Sequence, residues 1–207
     1  MRGRVADVVG CASGYLIGSI PVGVLIGRAV RGLDVREHGS GSMGTTNVLR
    51  LVGPAAGAMT FALDTAKGSA AVLVARRLGA NRAGQAAAGL AAVVGHSWPA
   101  WARFRGGKGV ATGFGAVLLI SRDASGFAIA GGLSALALTR IMSVASLTAA
   151  VSAVVGATVE QRRPGRLASL GFALSAAALI TLRHAGNIRR LLRGEEPRVT
   201  LRRMTKS

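Results

Sequence analysis

The sequence predicts an all-α, polytopic integral membrane protein with about seven transmembrane helices. Three observations carry that expectation. Half of the 207 residues are hydrophobic, mean hydropathy is +0.45, and the apolar runs approach the ~20 residues that a helix needs to cross hydrocarbon. Thirty glycines and abundant alanine suit helices that pack backbone to backbone, as membrane helices do. The net charge of +18 is gathered into the short stretches between apolar runs. A basic soluble nucleic-acid binder would also carry excess cations, but long uncharged runs do not suit such a fold.

The apolar runs occupy residues 8–26, 54–75, 83–102, 110–121, 124–139, 141–159 and 167–182. The first follows Arg2 and Arg4 as a signal peptide would. It continues through Ile20, Pro21 and Val22 to Ile26, beyond a signal core, and reads as a retained helix. Runs 110–121 and 124–139 are short; they predict either two short helices or one broken re-entrant element. Cys11, the single cysteine, reads as a small apolar helix residue. No internal repeat or linker divides the chain, so 1–207 is expected to be one domain with a basic tail from about 183 to 207.

Seven crossings put the termini on opposite sides. With the N-terminus outside, the inner segments hold Arg28, Arg31, Arg36, Arg50, Arg103, Arg105, Lys108, Arg140 and the tail cations Arg183, Arg189, Arg190, Arg193, Arg198, Arg202, Arg203 and Lys206. The outer ones hold Arg2, Arg4, Arg76, Arg77, Arg82, Arg122, Arg162, Arg163 and Arg166. The bias favours N-terminus outside and C-terminus in the cytoplasm.

Three polar clusters fall on the inner face. The segment 34–50 carries Ser40, Thr46, Asn47 and Arg50 among glycines, and reads as an anion-wrapping loop or as a solvated one. Arg103-Phe104-Arg105-Gly106-Gly107-Lys108-Gly109 offers a point charge on Lys108, close backbone approach at its glycines, and a helix N-terminus near Val110 that favours an anion. It does not match a Walker A loop. The tail, from Arg183 and His184 through Asn187 to Glu196, predicts a short amphipathic interfacial helix. Asp64 and Lys67, three residues apart, are expected to pair on one helix. His96 and His184 are each open to a structural or a proton-transfer reading. Metal-ligand spacings of His, Cys and carboxylates are missing, as is a nucleophile elbow.

Taken together, these pieces resemble the bacterial acyl-phosphate:glycerol-3-phosphate acyltransferases, the PlsY family. The resemblance runs from Gly18-Ser19-Ile20-Pro21 through Gly39-Ser40-Gly41, Thr46-Asn47-Val48-Leu49-Arg50, Asp64 to Gly68, Gly95-His96 with Pro99, and Phe104 to Thr112. It continues with Arg140, Ser143 and Ser146, then His184, Asn187-Ile188, Arg190-Leu191, Gly194 and Glu196-Pro197. It departs in the first motif, where Ser42 and Thr45 stand in place of the usual Asn and Ala.

The resemblance implies transfer of an acyl group from acyl phosphate to the sn-1 hydroxyl of glycerol 3-phosphate, giving lysophosphatidic acid and phosphate without a cofactor or metal. It implies a bacterial inner (plasma) membrane enzyme with its site on the cytoplasmic face. Membrane lipids would be its surroundings, nucleic acid no partner, and an acyl-phosphate-forming enzyme its functional link. Ser40, Asn47, Arg50, Lys108, His184 and Asn187 would be catalytic. Thr46, Gly106, Gly107, Gly109, Ser143 and Glu196 would bind substrate, with Glu196 also open to a structural role. The proton acceptor is left among His184, His96 and the departing phosphate. A small anion transporter is the competing class, but transporters commonly carry internal repeats.

Overall fold

A computed structural model describes residues 2–159 and 165–199. Arg162, Arg163, Arg202, Arg203 and Lys206, counted above in the charge bias, lie outside the described residues. The described residues form α1 (Arg2–Gly18), α2 (Val22–Arg31), α3 (Thr45–Leu51), α4 (Pro54–Arg77), α5 (Arg82–Ser97), α6 (Val110–Ile120), α7 (Arg122–Thr139), α8 (Met142–Val159), α9 (Arg166–Arg183) and α10 (Ala185–Leu192). No strand occurs among them. Three segments are long and apolar enough to cross a membrane alone: Gly3–Arg31, Met142–Val159 and Arg166–Arg183.

Each expected apolar run contains a helix, with local differences that have physical causes. The first run is not one continuous helix. Pro21 lacks an N–H and restrains Ile20, so α1 stops at Gly18 and α2 restarts at Val22. Runs 110–121 and 124–139 are two helices that meet at Ser121, whose side chain accepts from Ala124 N–H at 3.1 Å and caps α7. The 11 residues of α6 rise only about 16 Å, less than a hydrocarbon core. The loop reading of 34–50 changes most. Its second half winds into α3, while Val35, Met43 and Val48, all fully buried, pack beneath α2. Those apolar pegs fix a segment that otherwise reads as polar.

Close backbone approach organises the bundle. A Cβ on Gly14 or Gly18 of α1 would stand 2.4 or 2.2 Å from the carbonyl oxygens of Ala88 and Ala92 on α5. Only glycine lets the two backbones come this near. Glycines of α4 and α6 face each other's backbone in the same way, Gly68 at Thr112 and Gly115 at Thr65. The main apolar core joins Val72, Ala116, Val117, Phe172 and Ala176 from α4, α6 and α9. At one end, Asp7 accepts from Asn81 (N–H 3.1 Å, Nδ2 2.8 Å) and Arg76 Nη2 donates to Leu119 O at 3.1 Å. The other end gathers the polar segments around α2–α3, 98–109, 140–141 and 184–199.

Candidate functional site

Cross-links between distant segments define this second end. Lys108 Nζ donates to Asn187 Oδ1 at 2.6 Å. Asn187 Nδ2 donates to Glu196 Oε1 at 2.5 Å. The same carboxylate accepts from Ser143 Oγ at 2.9 Å and from Arg190 Nε at 2.7 Å. One anionic hub thus ties the glycine loop, the start of α8 and the helix α10. Charge-assisted bonds of this kind are among the stronger ones.

These groups line a polar pocket of about 130 Å³. Ser40, Thr46, Asn47 and Arg50 form one wall, Lys108 and Gly109 another, and Ser143, His184, Asn187 and Glu196 close it. Arg50 is exposed; it engages no protein partner among the described residues and remains open to an anion. Sequence reasoning missed Thr45, whose Oγ1 is buried without a protein partner on the pocket wall. It also gave no role to Phe61 and Met142, apolar residues in runs where no pattern marks them as pocket-lining.

Asn47 is only 2% exposed and is committed to its own motif. Its Nδ2 donates to the carbonyls of Val35, His38 and Ser42 at 2.7, 3.2 and 2.8 Å, and its Oδ1 accepts from Ser40 N–H at 3.0 Å. The amide shapes the loop that carries Ser40 and leaves no donor for a ligand. Gly106 and Gly107 do not line the pocket. The Gly107 N–H donates to His96 O at 3.0 Å, and the pair lies behind Lys108. Gly109, at φ 80°, turns the chain into α6, whose first turn begins at Val110.

Burial and neighbouring charge tune the site. Burial pushes the Lys108 ammonium down to about 8; Glu196 opposes this, while Arg190, Arg50 and Arg183 reinforce it. His184, just beyond α9, is pushed down to about 4 by burial and then by Lys108. Its Nδ1 lies 2.8 Å from Ile180 O and must carry the proton to donate there, which leaves Nε2 as the acceptor. Burial pushes the Glu196 carboxyl up, but hydrogen bonds from Asn187, Ser143 and Arg190 outweigh it and hold the group below its usual range. Asp64 and Lys67 pair at 2.8 Å as expected, and His96 Nδ1 stands 3.5 Å from the same carboxylate.

A second cavity of about 260 Å³ adjoins the first and shares Phe61, Val110 and Ser146 with it. Its walls are apolar surfaces of α6, α7, α8 and α9, including Leu133, Ala149 and Phe172. A cationic pocket set against an apolar one suits a molecule with an anionic head and a hydrocarbon tail.

The fold and this paired site define a helical membrane-protein class with room for an amphiphilic anion. A family model described as glycerol-3-phosphate acyltransferase matches residues 8–194. A glycerol-3-phosphate acyltransferase of Anaeromyxobacter dehalogenans (strain 2CP-C) is 47% identical over 194 residues, covering 91% of this chain and 94% of its own length. One from Synechococcus sp. (strain CC9902) is 42% identical, with 91% and 92% covered. The crystal structure of PlsY (YgiH), an integral membrane glycerol 3-phosphate acyltransferase, in its glycerol 3-phosphate form superposes with a TM-score of 0.88. The two are 37% identical, and 97% of this chain and 99% of that one are covered. The lysophosphatidic acid form gives 0.84 at 36% identity, with 94% and 95% covered. The chain belongs to the glycerol-3-phosphate acyltransferase family.

Proposed function

We propose that this protein transfers an acyl group from acyl phosphate to the sn-1 hydroxyl of glycerol 3-phosphate, releasing phosphate and lysophosphatidic acid. The observation that carries the reading is the cationic pocket opening beside an apolar cavity, with Phe61, Val110 and Ser146 at their border. The relatives solved with glycerol 3-phosphate and with lysophosphatidic acid support the acceptor and the product. The enzyme is a multi-pass protein of the bacterial inner membrane with seven spans and an outside N-terminus. The site faces the cytoplasm, where glycerol 3-phosphate arrives from water and the donor's tail stays in hydrocarbon. Its supplier is an acyl-phosphate-forming enzyme.

Acyl phosphate is already activated, so the protein must orient two anions and neutralise charge. Lys108 and Arg50 hold phosphate oxygens, with Thr46, Gly109 and Ser143 bordering the bound head. The acceptor oxygen attacks the donor's carbonyl carbon, the carbon–oxygen bond to phosphate breaks, and phosphate leaves with the electron pair. Asn47 positions Ser40, and Ser40 and Asn187 orient the reacting groups. Gly106 and Gly107 contribute through backbone packing that sets Lys108. Glu196 organises Ser143, Asn187 and Arg190, since a carboxylate repels a phosphate. The hydroxyl proton passes to the departing phosphate. His184, held near 4, is too weak a base at neutral pH; its Nε2 accepts the acceptor's hydroxyl hydrogen bond and aims it.

His184→Ala is therefore expected to raise KM for glycerol 3-phosphate and lower kcat, with no loss of an acid limb near neutral pH. A wild-type profile titrating between pH 6 and 7 that vanishes in the variant would restore the base role. The donor is tested with purified protein in lipid, offered labelled glycerol 3-phosphate and either palmitoyl phosphate or palmitoyl-CoA. Product from palmitoyl phosphate alone supports the reading. Product from the thioester overturns it, and none from either, in folded protein, overturns the acyl-phosphate assignment as well.

A further inference from the structure

Arg183 counts at first sight as one more cation at a helix end. In the fold it does not line the polar pocket. Its guanidinium turns to the back of the glycine loop instead. Nε donates to Gly107 O at 3.0 Å and Nη2 reaches Gly106 O at 3.5 Å. The guanidinium carbon lies 5.2 Å from the centroid of the Trp98 ring, a cation–π seat that fixes the fork's plane.

The loop's other surface is held as firmly. Gly107 N–H donates to His96 O at 3.0 Å. A Cβ on Gly107 would stand 2.2 Å from His96 Nε2, and one on Gly106 would stand 2.2 Å from His96 O. His96 in turn rests 3.5 Å from Asp64, which is paired with Lys67, and Lys67 Nζ donates to Ile20 O at 3.0 Å. This chain of contacts runs into α4 and the α1–α2 break and forms a fixed floor. Two consecutive peptides are thereby gripped on both faces. The next residue along is Lys108, and the next residue after Arg183 is His184. One helix end thus holds the loop with one side chain and lines the pocket with its neighbour.

We propose that Arg183 is a positioning residue: by gripping the Gly106 and Gly107 carbonyls while seated on Trp98, it sets where Lys108 stands relative to His184. The inference rests on the reading that Lys108 holds the phosphate of glycerol 3-phosphate. Its chemistry is that of a fork. A lysine at 183 keeps the charge and has donors, but it has no planar fork, so it cannot hold both carbonyls in this geometry while stacked on the indole.

Purified wild type, Arg183→Lys, Arg183→Gln and Lys108→Ala are compared in lipid, with glycerol 3-phosphate and palmitoyl phosphate varied in turn and thermal midpoints recorded. Both Arg183 variants are expected to raise KM for glycerol 3-phosphate by about tenfold or more, because small displacements of a positioned group are costly. The donor's KM and the thermal midpoint should change little. Trp98→Leu, at an exposed position, should shift the same constant in the same direction by less, and it serves if the Arg183 variants do not fold. Wild-type kinetics in Arg183→Lys would overturn the proposal, since charge alone would then suffice. An equal rise in both KM values with a lowered midpoint would also overturn it, as a general loss of structure. If Lys108→Ala leaves KM for glycerol 3-phosphate unchanged, the underlying reading fails and takes this proposal with it. A raised KM in Lys108→Ala beside wild-type behaviour in Arg183→Lys removes the proposal alone.

Discussion

Replacing Lys108 by alanine is expected to lower kcat/KM for glycerol 3-phosphate by about 10²–10³, the range for deleting one preorganised charge at a reacting anion. The protein should remain folded, because Glu196 keeps Ser143, Asn187 and Arg190 as partners. The wild type should also show the group in its pH profile. Four charged groups surround the ammonium: Glu196 of the tail, Arg190 of α10, Arg50 of α3 and Arg183 of α9. Burial, with the arginines assisting and Glu196 opposing, holds it down to about 8. Below that pH the ammonium is charged and, in the proposed role, holds phosphate; above it the charge is lost. Affinity should therefore fall as pH rises through 8, and bound phosphate should push the transition higher. Steady-state kinetics from pH 6 to 10 test this. An alkaline limb that persists unchanged in Lys108→Ala would assign the titration elsewhere.

Asn47→Ala should produce the other large effect, and for a different reason. Removing the amide strips the carbonyls of Val35 and Ser42 and the Ser40 N–H of their side-chain partner at once, while His38 O keeps the Gly41 N–H at 3.1 Å. Each group that stays dry costs about 1–3 kcal/mol. Relaxation that lets water reach some of them leaves an expected destabilisation of about 3 kcal/mol, with activity falling as Ser40 loses its place. Asn47→Asp is nearly isosteric and keeps the acceptor for Ser40, yet it turns a carboxylate toward three carbonyl oxygens. It should be no better than alanine. Thermal unfolding in detergent, alongside turnover, separates the two variants, and near-native stability for the aspartate would show that the donors do not matter.

The sequence made the helical bundle legible because apolar runs bounded by arginines encode helices directly. The pocket was legible to the extent that polar residues are rare in such a chain, and Ser40, Lys108 and His184 stood out for that reason. What it hid is relational. No pattern distinguishes an asparagine that touches a ligand from one that folds its own loop, as Asn47 does. Gly106 and Gly107 read as ligand-facing because glycine permits close approach, but the partner they approach is His96. Arg183 read as a boundary charge because its contacts lie 76 and 77 residues away in the chain. The helix α3 was obscured by its polar surroundings; Val35, Met43 and Val48 anchor that region only once α2 has folded back over them.

Glu196 follows α10, yet it joins residues from α8, α10 and, through Asn187, the glycine loop. During synthesis this carboxylate emerges after every helix among the described residues. A nascent chain in which only α1 to α9 have emerged would hold Ser143 and Lys108 without the carboxylate that ties them to α10. Order at this end of the bundle thus waits on one late carboxylate, and a chain that stopped short of it would lack the knot that binds α8, α10 and the glycine loop.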